Sequence, residues 1–131
     1  MKYMLLMSAK KAGFEWYAKW PKEVLQKNME FMRHISKELT DEGVLITTQG
    51  LAWPDQAVMV TAAADGTPIT DGVFPESKEF LAGWWIIDVE SPEEAYKVAA
   101  RISMAPAPEG TPTTMPLEVR EIMGSAPEEL L

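Results

Sequence analysis

The stretch LAGWWIIDVESPEEA, Leu81–Ala95, decides the fold. Its first nine residues form an almost unbroken apolar run, rich in aromatic and β-branched side chains and bounded by turn signals. A run of that length and composition predicts a buried strand. Helix-start chemistry follows at once. Ser91 is placed to cap, Pro92 takes the first helical position, and Glu94 lies three residues beyond the serine. This is a capping box, in which Ser and Glu side chains satisfy backbone N–H groups that the first helical turn leaves open. The helix it starts runs through Ala95, Val98, Ala99 and Ile102.

Working outward, the same alternation of strand and helix covers the chain. KYMLLM (Lys2–Met7) predicts a second strand buried on both faces. GFEWYAKWP, ending at Pro21, reads as an aromatic-rich connection. From Glu23 to Asp41, Leu25, Met29, Met32, Ile35 and Leu39 recur at helical spacing, and Gly43 stops the helix. VLITTQGL (44–51) and AVMVTAA (57–63) are β-rich and flank a Trp53-Pro54-Asp55 turn. Asp65-Gly66 signals a hairpin to the short TPIT strand. The prolines of MAPAPEGTPTTMP forbid helix or central strand there, and a mobile loop is expected. LEVREIM (117–123) is the last strand. One domain over 1–124 and a tail over 125–131 are expected, with an α+β fold of ferredoxin-like, split β-α-β type and an antiparallel sheet. Two helices cover one face of such a sheet, yet YMLLM and WWIIDV are apolar on consecutive residues. A homodimer with two sheets face to face is the expectation that follows.

Composition excludes several functions. The 131 residues carry 12 basic and 20 acidic side chains, a net charge of -8. A surface that acidic repels phosphate backbones, so nucleic acid is not an expected partner. The absence of cysteine removes thiol nucleophiles, disulfides and thiolate metal sites, and one histidine makes no imidazole cluster. No EF-hand spacing is present. A carboxylate site for magnesium or calcium stays open, but no metal ligand is singled out and no cofactor is expected. No apolar run is long enough to span a bilayer, and a soluble cytoplasmic protein is expected.

Candidate site residues gather in the charged segment before the deciding strand. Asp71-Gly72 reads as turn chemistry, or Asp71 serves as a general base. Glu76, Lys78 and Glu79 form a solvated face, or the mouth of a site in which Lys78 holds an anion and Glu79 is the acid–base group. Phe74 is an apolar anchor between them. Asn28 falls on the apolar stripe of the first long helix. There it either bonds nearby backbone or lines a cavity between helix and sheet. Arg120 pairs with Glu118 or contacts an anion. Trp16 and Trp20 either pack in the connection or roof a pocket. His34 falls toward solvent. Asp71 and Glu79 are thus the catalytic candidates. Asn28, Gly72, Phe74, Glu76, Lys78 and Arg120 are the ligand-binding ones.

The chain resembles the YCII-related, or DGPF-domain, family. The resemblance rests on MKYMLL at the start, GVL at 43–45, Asp71-Gly72 with Phe74, Glu76 and Lys78-Glu79, AGWWIIDVESPEEA, and EVR at 118–120. It implies a ferredoxin-like fold paired as a dimeric α/β barrel, without a settled activity. It also implies a bacterial setting beside extracytoplasmic-function sigma factors. Val73 stands where the family's loop has proline, and Pro75 follows two residues later. Related proteins carry a His–Asp dyad, but His34 lacks that spacing and RISMAPAP (101–108) has no Asp, so the dyad is not carried over. The reading that follows is a dimeric small-molecule-binding or regulatory module. The alternative is a dimeric α/β-barrel isomerase or lyase using carboxylate acid–base catalysis.

Overall fold

The computed structural model describes residues 1–72, 74–76 and 78–124. The expected tail at 125–131 and Val73 lie outside these. Nine elements follow in order: β1 (Lys2–Lys10), α1 (Lys11–Ala18), α2 (Lys22–Asp41), β2 (Leu45–Gly50), β3 (Val58–Ala62), β4 (Pro68–Gly72), β5 (Glu79–Asp88), α3 (Pro92–Ser103) and β6 (Leu117–Glu121).

The deciding stretch becomes the centre of the sheet. β5 lies between β2 and β1 in the order β2-β5-β1-β6, and every pairing is antiparallel. β1 and β2 thus run the same way with β5 inserted between them, which is the split β-α-β arrangement. β1 and β5 stay in register from Lys2↔Asp88 to Lys10↔Glu79, with one irregularity at Met7/Ser8. Side chains alternate across the sheet. Tyr3, Leu5, Trp85 and Ile87 face inward and are buried. Ile35 and Leu39 of α2 and Ala95, Val98 and Ile102 of α3 complete this core. Each fully buried aliphatic side chain there contributes about 1.5–3 kcal/mol of transfer free energy.

The helix ends follow the chemistry of the sequence. Ser91 Oγ accepts from Glu94 N–H at 3.3 Å, and the Glu94 carboxylate accepts from Glu90 N–H at 3.0 Å. The return bond thus falls one residue before the cap. Arg101 of α3 reaches Glu38 at 2.9 Å and Glu42 at 3.1 Å, joining the two long helices at the surface.

The barrel is corrected. The sheet is open, with β2 and β6 at its two edges, and no sheet among the described residues closes. The face-to-face homodimer is corrected with it, because it rested on the outer residues requiring cover. Met4, Leu6, Trp84 and Ile86 are only partly exposed in the single protomer. Apolar atoms make up more than half of an ordinary protein surface, so such residues do not by themselves demand a second sheet.

Three local readings also change. GFEWYAKWP is mostly helix rather than plain connection, as α1 shows. Asp71 and Gly72 belong to the end of β4 rather than to the charged loop. The proline-rich segment is held rather than loose. Thr113 and Thr114 donate backbone bonds to Ala105 and Ser103 at 2.8 and 2.9 Å, and Ala107 donates to Thr111 at 2.7 Å. Prolines cost this segment donors, but its threonines supply them.

Candidate functional site

α1 is short and uncapped: Lys10 precedes it with no side-chain hydrogen bond, and none of its residues is buried. At Gly13 it lies close to the end of β1, where an added Cβ would sit 3.1 Å from the Ala9 Cβ. The rings beyond Gly13 border open space. That space is a cavity of about 750 Å³ between α1, α2 and the sheet. A volume in this range is usual for small-molecule sites.

Each wall has a structural origin. The floor is sheet, where Gly83 of β5 faces Gly50 of β2 across the ladder. An added Cβ at Gly83 would meet the Gln49 carbonyl at 3.2 Å, so this floor is flat by close backbone approach. Thr48, Gln49 and Trp85 also belong to it. α2 contributes Asn28, Met32, Arg33 and Ser36, one or two turns apart on one side of the helix. The roof is aromatic. Phe14, Trp16, Tyr17 and Trp20 come from α1 and the turn after it, and Trp53 comes from the segment after β2. Trp16 meets Trp20 edge-on at 4.8 Å, and Phe14 meets Trp53 at 5.5 Å. Four of the chain's five tryptophans thus line one cavity.

Polar groups on the walls are few and mostly neutral. Asn28 is buried, and its Nδ2 donates to the Pro106 carbonyl at 2.9 Å. That bond ties α2 to the proline-rich segment, which adds Thr113 and Met115 to the lining. Trp20 Nε1 is buried without a hydrogen-bond partner among the described residues. The Trp16 and Tyr17 rings lie beside it, their centroids 4.8 and 4.9 Å from that of Trp20. Burial pushes the Tyr17 phenol above its ordinary value, so it stays a neutral hydroxyl at neutral pH. Among the described residues no Asp, Glu, His, Lys or Cys lines the cavity, and Arg33 is the one charged residue that does.

Most residues singled out from the sequence lie elsewhere. Asp71, Gly72, Glu76, Lys78 and Glu79 are exposed and do not line the cavity. Lys78 lies over the Phe80 ring at 5.0 Å and within 3.8 Å of the Met59 sulfur. Phe74 is closest to the site: it packs edge-on against Phe80 at 5.1 Å and against the cavity residue Phe14 at 6.4 Å. Arg120 pairs loosely with Glu118 at 3.7 Å on the exposed last strand. His34 is 71% exposed and bonds Glu38 at 2.7 Å. Of the catalytic and ligand-binding candidates only Asn28 reaches the cavity, and Trp16 and Trp20, read as packing in the connection or roofing a pocket, line it as well. The sequence reading passed over Phe14, Trp53 and Arg33. Its usable signal was the aromatic density of GFEWYAKWP, which exceeds what so short a connection needs.

An open antiparallel α+β sheet, carrying an aromatic-roofed cavity between its helices and one face, is the class of molecule defined here. The chain matches the YCII-related domain over residues 1–123 and belongs to the YCII-related family. It is similar to an uncharacterized protein of Rhizobium meliloti (strain 1021), with 31% identity over 111 residues, 85% of this chain and 86% of that protein. Among the described residues no helix is long and apolar enough to cross a membrane, and no group of metal-ligating side chains is present.

Proposed function

We propose that the protein is a small-molecule-binding module of the bacterial cytoplasm whose ligand occupies the cavity between α1, α2 and the sheet, without chemical turnover. The observation that carries this reading is the character of the wall. It is aromatic and methionine-rich, with amides and hydroxyls to orient a ligand and, among the described residues, no carboxylate, imidazole, amine or thiol. A carboxylate acid–base enzyme would need Asp71 or Glu79 at the cavity, and both are exposed away from it. A binding module also suits the regulatory setting beside a sigma factor that the family resemblance implies.

The test uses the tryptophans themselves. A panel of planar aromatic compounds is titrated against the protein while intrinsic fluorescence and thermal stability are followed. Binders should change the fluorescence of wild type and of Trp84→Phe alike, because Trp84 does not line the cavity. A ligand at one hundred times its Kd stabilises the fold by about 2.7 kcal/mol, a readily measured shift. Trp16→Ala removes a half-exposed ring from the roof and should weaken every binder. A broad panel without one binder, or binding indifferent to Trp16, overturns the reading.

A further inference from the structure

The charge at the cavity runs against the charge of the molecule. Among the described residues, no acidic side chain lines it. The single charged lining residue is a cation, Arg33, which makes no ion pair among the described residues. This is unusual for its position. Nearby on the same helix His34 reaches Glu38 and Lys37 reaches Asp41, each at i,i+4. Glu30, one turn before Arg33, is not in ion-pair reach of it. Arg33 is therefore a planar fork of donors beside apolar walls, its donors unmet by any ion pair among the described residues.

Resting on the binding reading above, we propose that the cavity selects planar aromatic carboxylates, with the ring among Trp16, Trp20 and Trp53 and the carboxylate on Arg33. The ring system follows from the roof, since flat aromatic walls reward flat aromatic ligands. The anion follows from Arg33, whose guanidinium matches a carboxylate bidentately. Asn28, Thr48 and Gln49 supply neutral hydrogen-bonding partners for substituents. The net charge of -8 repels anions at long range, but at physiological salt that field is screened beyond about 8 Å. Selection must then come from the local contact, which a single substitution isolates.

The experiment is calorimetric titration with a matched pair, 2-naphthoate and its neutral amide 2-naphthamide, at fixed ionic strength. Wild type should bind the acid about fivefold more tightly than the amide, the scale of one partly exposed charge contact. Arg33→Gln should bring the two affinities together by weakening the acid alone, and Arg33→Lys should keep part of the preference. Arg33 is exposed, so these variants should fold, which circular dichroism checks. Trp53→Ala should weaken both probes by a common factor, marking the aromatic half of the site. Equal binding of acid and amide to wild type, or a preference untouched by Arg33→Gln, overturns the carboxylate proposal while leaving the cavity reading standing. Failure of the acid to bind wild type also overturns it, and the fluorescence panel then shows whether the cavity reading falls too.

Discussion

Asn28 is where packing and site meet. It is 6% exposed on an otherwise apolar helix face, and its amide donates to a carbonyl 78 residues away. A buried amide is tolerable only when partnered, because without a partner it loses water's hydrogen bonds and gains nothing in return. Asn28→Ala should leave the Pro106 carbonyl without its donor and destabilise the fold by about 1–3 kcal/mol. Urea unfolding measures that directly. Hydrogen exchange gives the sharper sign: amides of Ala105, Ala107 and Thr113 should exchange faster in the variant, while those of β1 should not change beyond the global loss. Unchanged exchange in the proline-rich segment would show that Asn28 does not hold it.

At the scale of elements, legibility tracked how much each element depends on its own residues. The strand at 81–89 and the helix after Ser91 were plain in the sequence because their signals are local: a continuous apolar run and a capping box. α1 was not plain. It has eight residues, a glycine at its third position and no side-chain cap, and isolated helices of that length are marginal in water. Its one close approach to the sheet at a glycine, Gly13 beside Ala9, leaves no signal in the residue pattern. The cavity was half legible for the same reason. Asn28 announces itself as a polar group in an apolar stripe, whereas Arg33 looks like any surface charge until its surroundings are known. The charged loop drew attention through its residue types, and types alone do not place a loop beside a pocket.

The β3–β4 turn is an element whose chemistry does read out locally. Thr67, through its hydroxyl and then its backbone N–H at 2.9 Å, holds the Asp65 carboxylate below its ordinary value of 3.8. A depressed carboxylate pKa means the folded turn favours the ionised form. Its stabilisation is therefore complete above the ordinary value and is lost as pH falls through the folded one. The carboxyl carbon of Asp65 should titrate below 3.8, with the Thr67 amide proton shifting on the same curve. An NMR titration in which Asp65 titrates at or above that value, or in which Thr67 ignores it, contradicts the bond.

The whole molecule divides into parts of unequal stability. Its four-stranded sheet buries Leu5 and Ile87 completely, and Leu39 and Ile102 pack over them from α2 and α3. The two-stranded β3–β4 sheet has no such support. Every residue of both strands is exposed, Val58, Val60 and Ile69 among them at 52, 60 and 53%. A two-stranded hairpin without a buried face is marginal by itself in water. Local opening should therefore cost the hairpin far less than global unfolding, and cooperative units should separate along this line. In native-state hydrogen exchange, the ladder amides from Val58 to Gly72 should exchange at least about a hundredfold faster than those of Leu5 and Ile87, since a stability gap near 3 kcal/mol is modest against a typical global value. Low denaturant should accelerate the sheet amides but hardly move those of the hairpin, because hairpin opening exposes little new surface. If the hairpin instead exchanges only through global unfolding, with the same rates and the same denaturant slope as Leu5, it is not a separate unit, and the exposed valines must be gaining support that their exposure does not reveal.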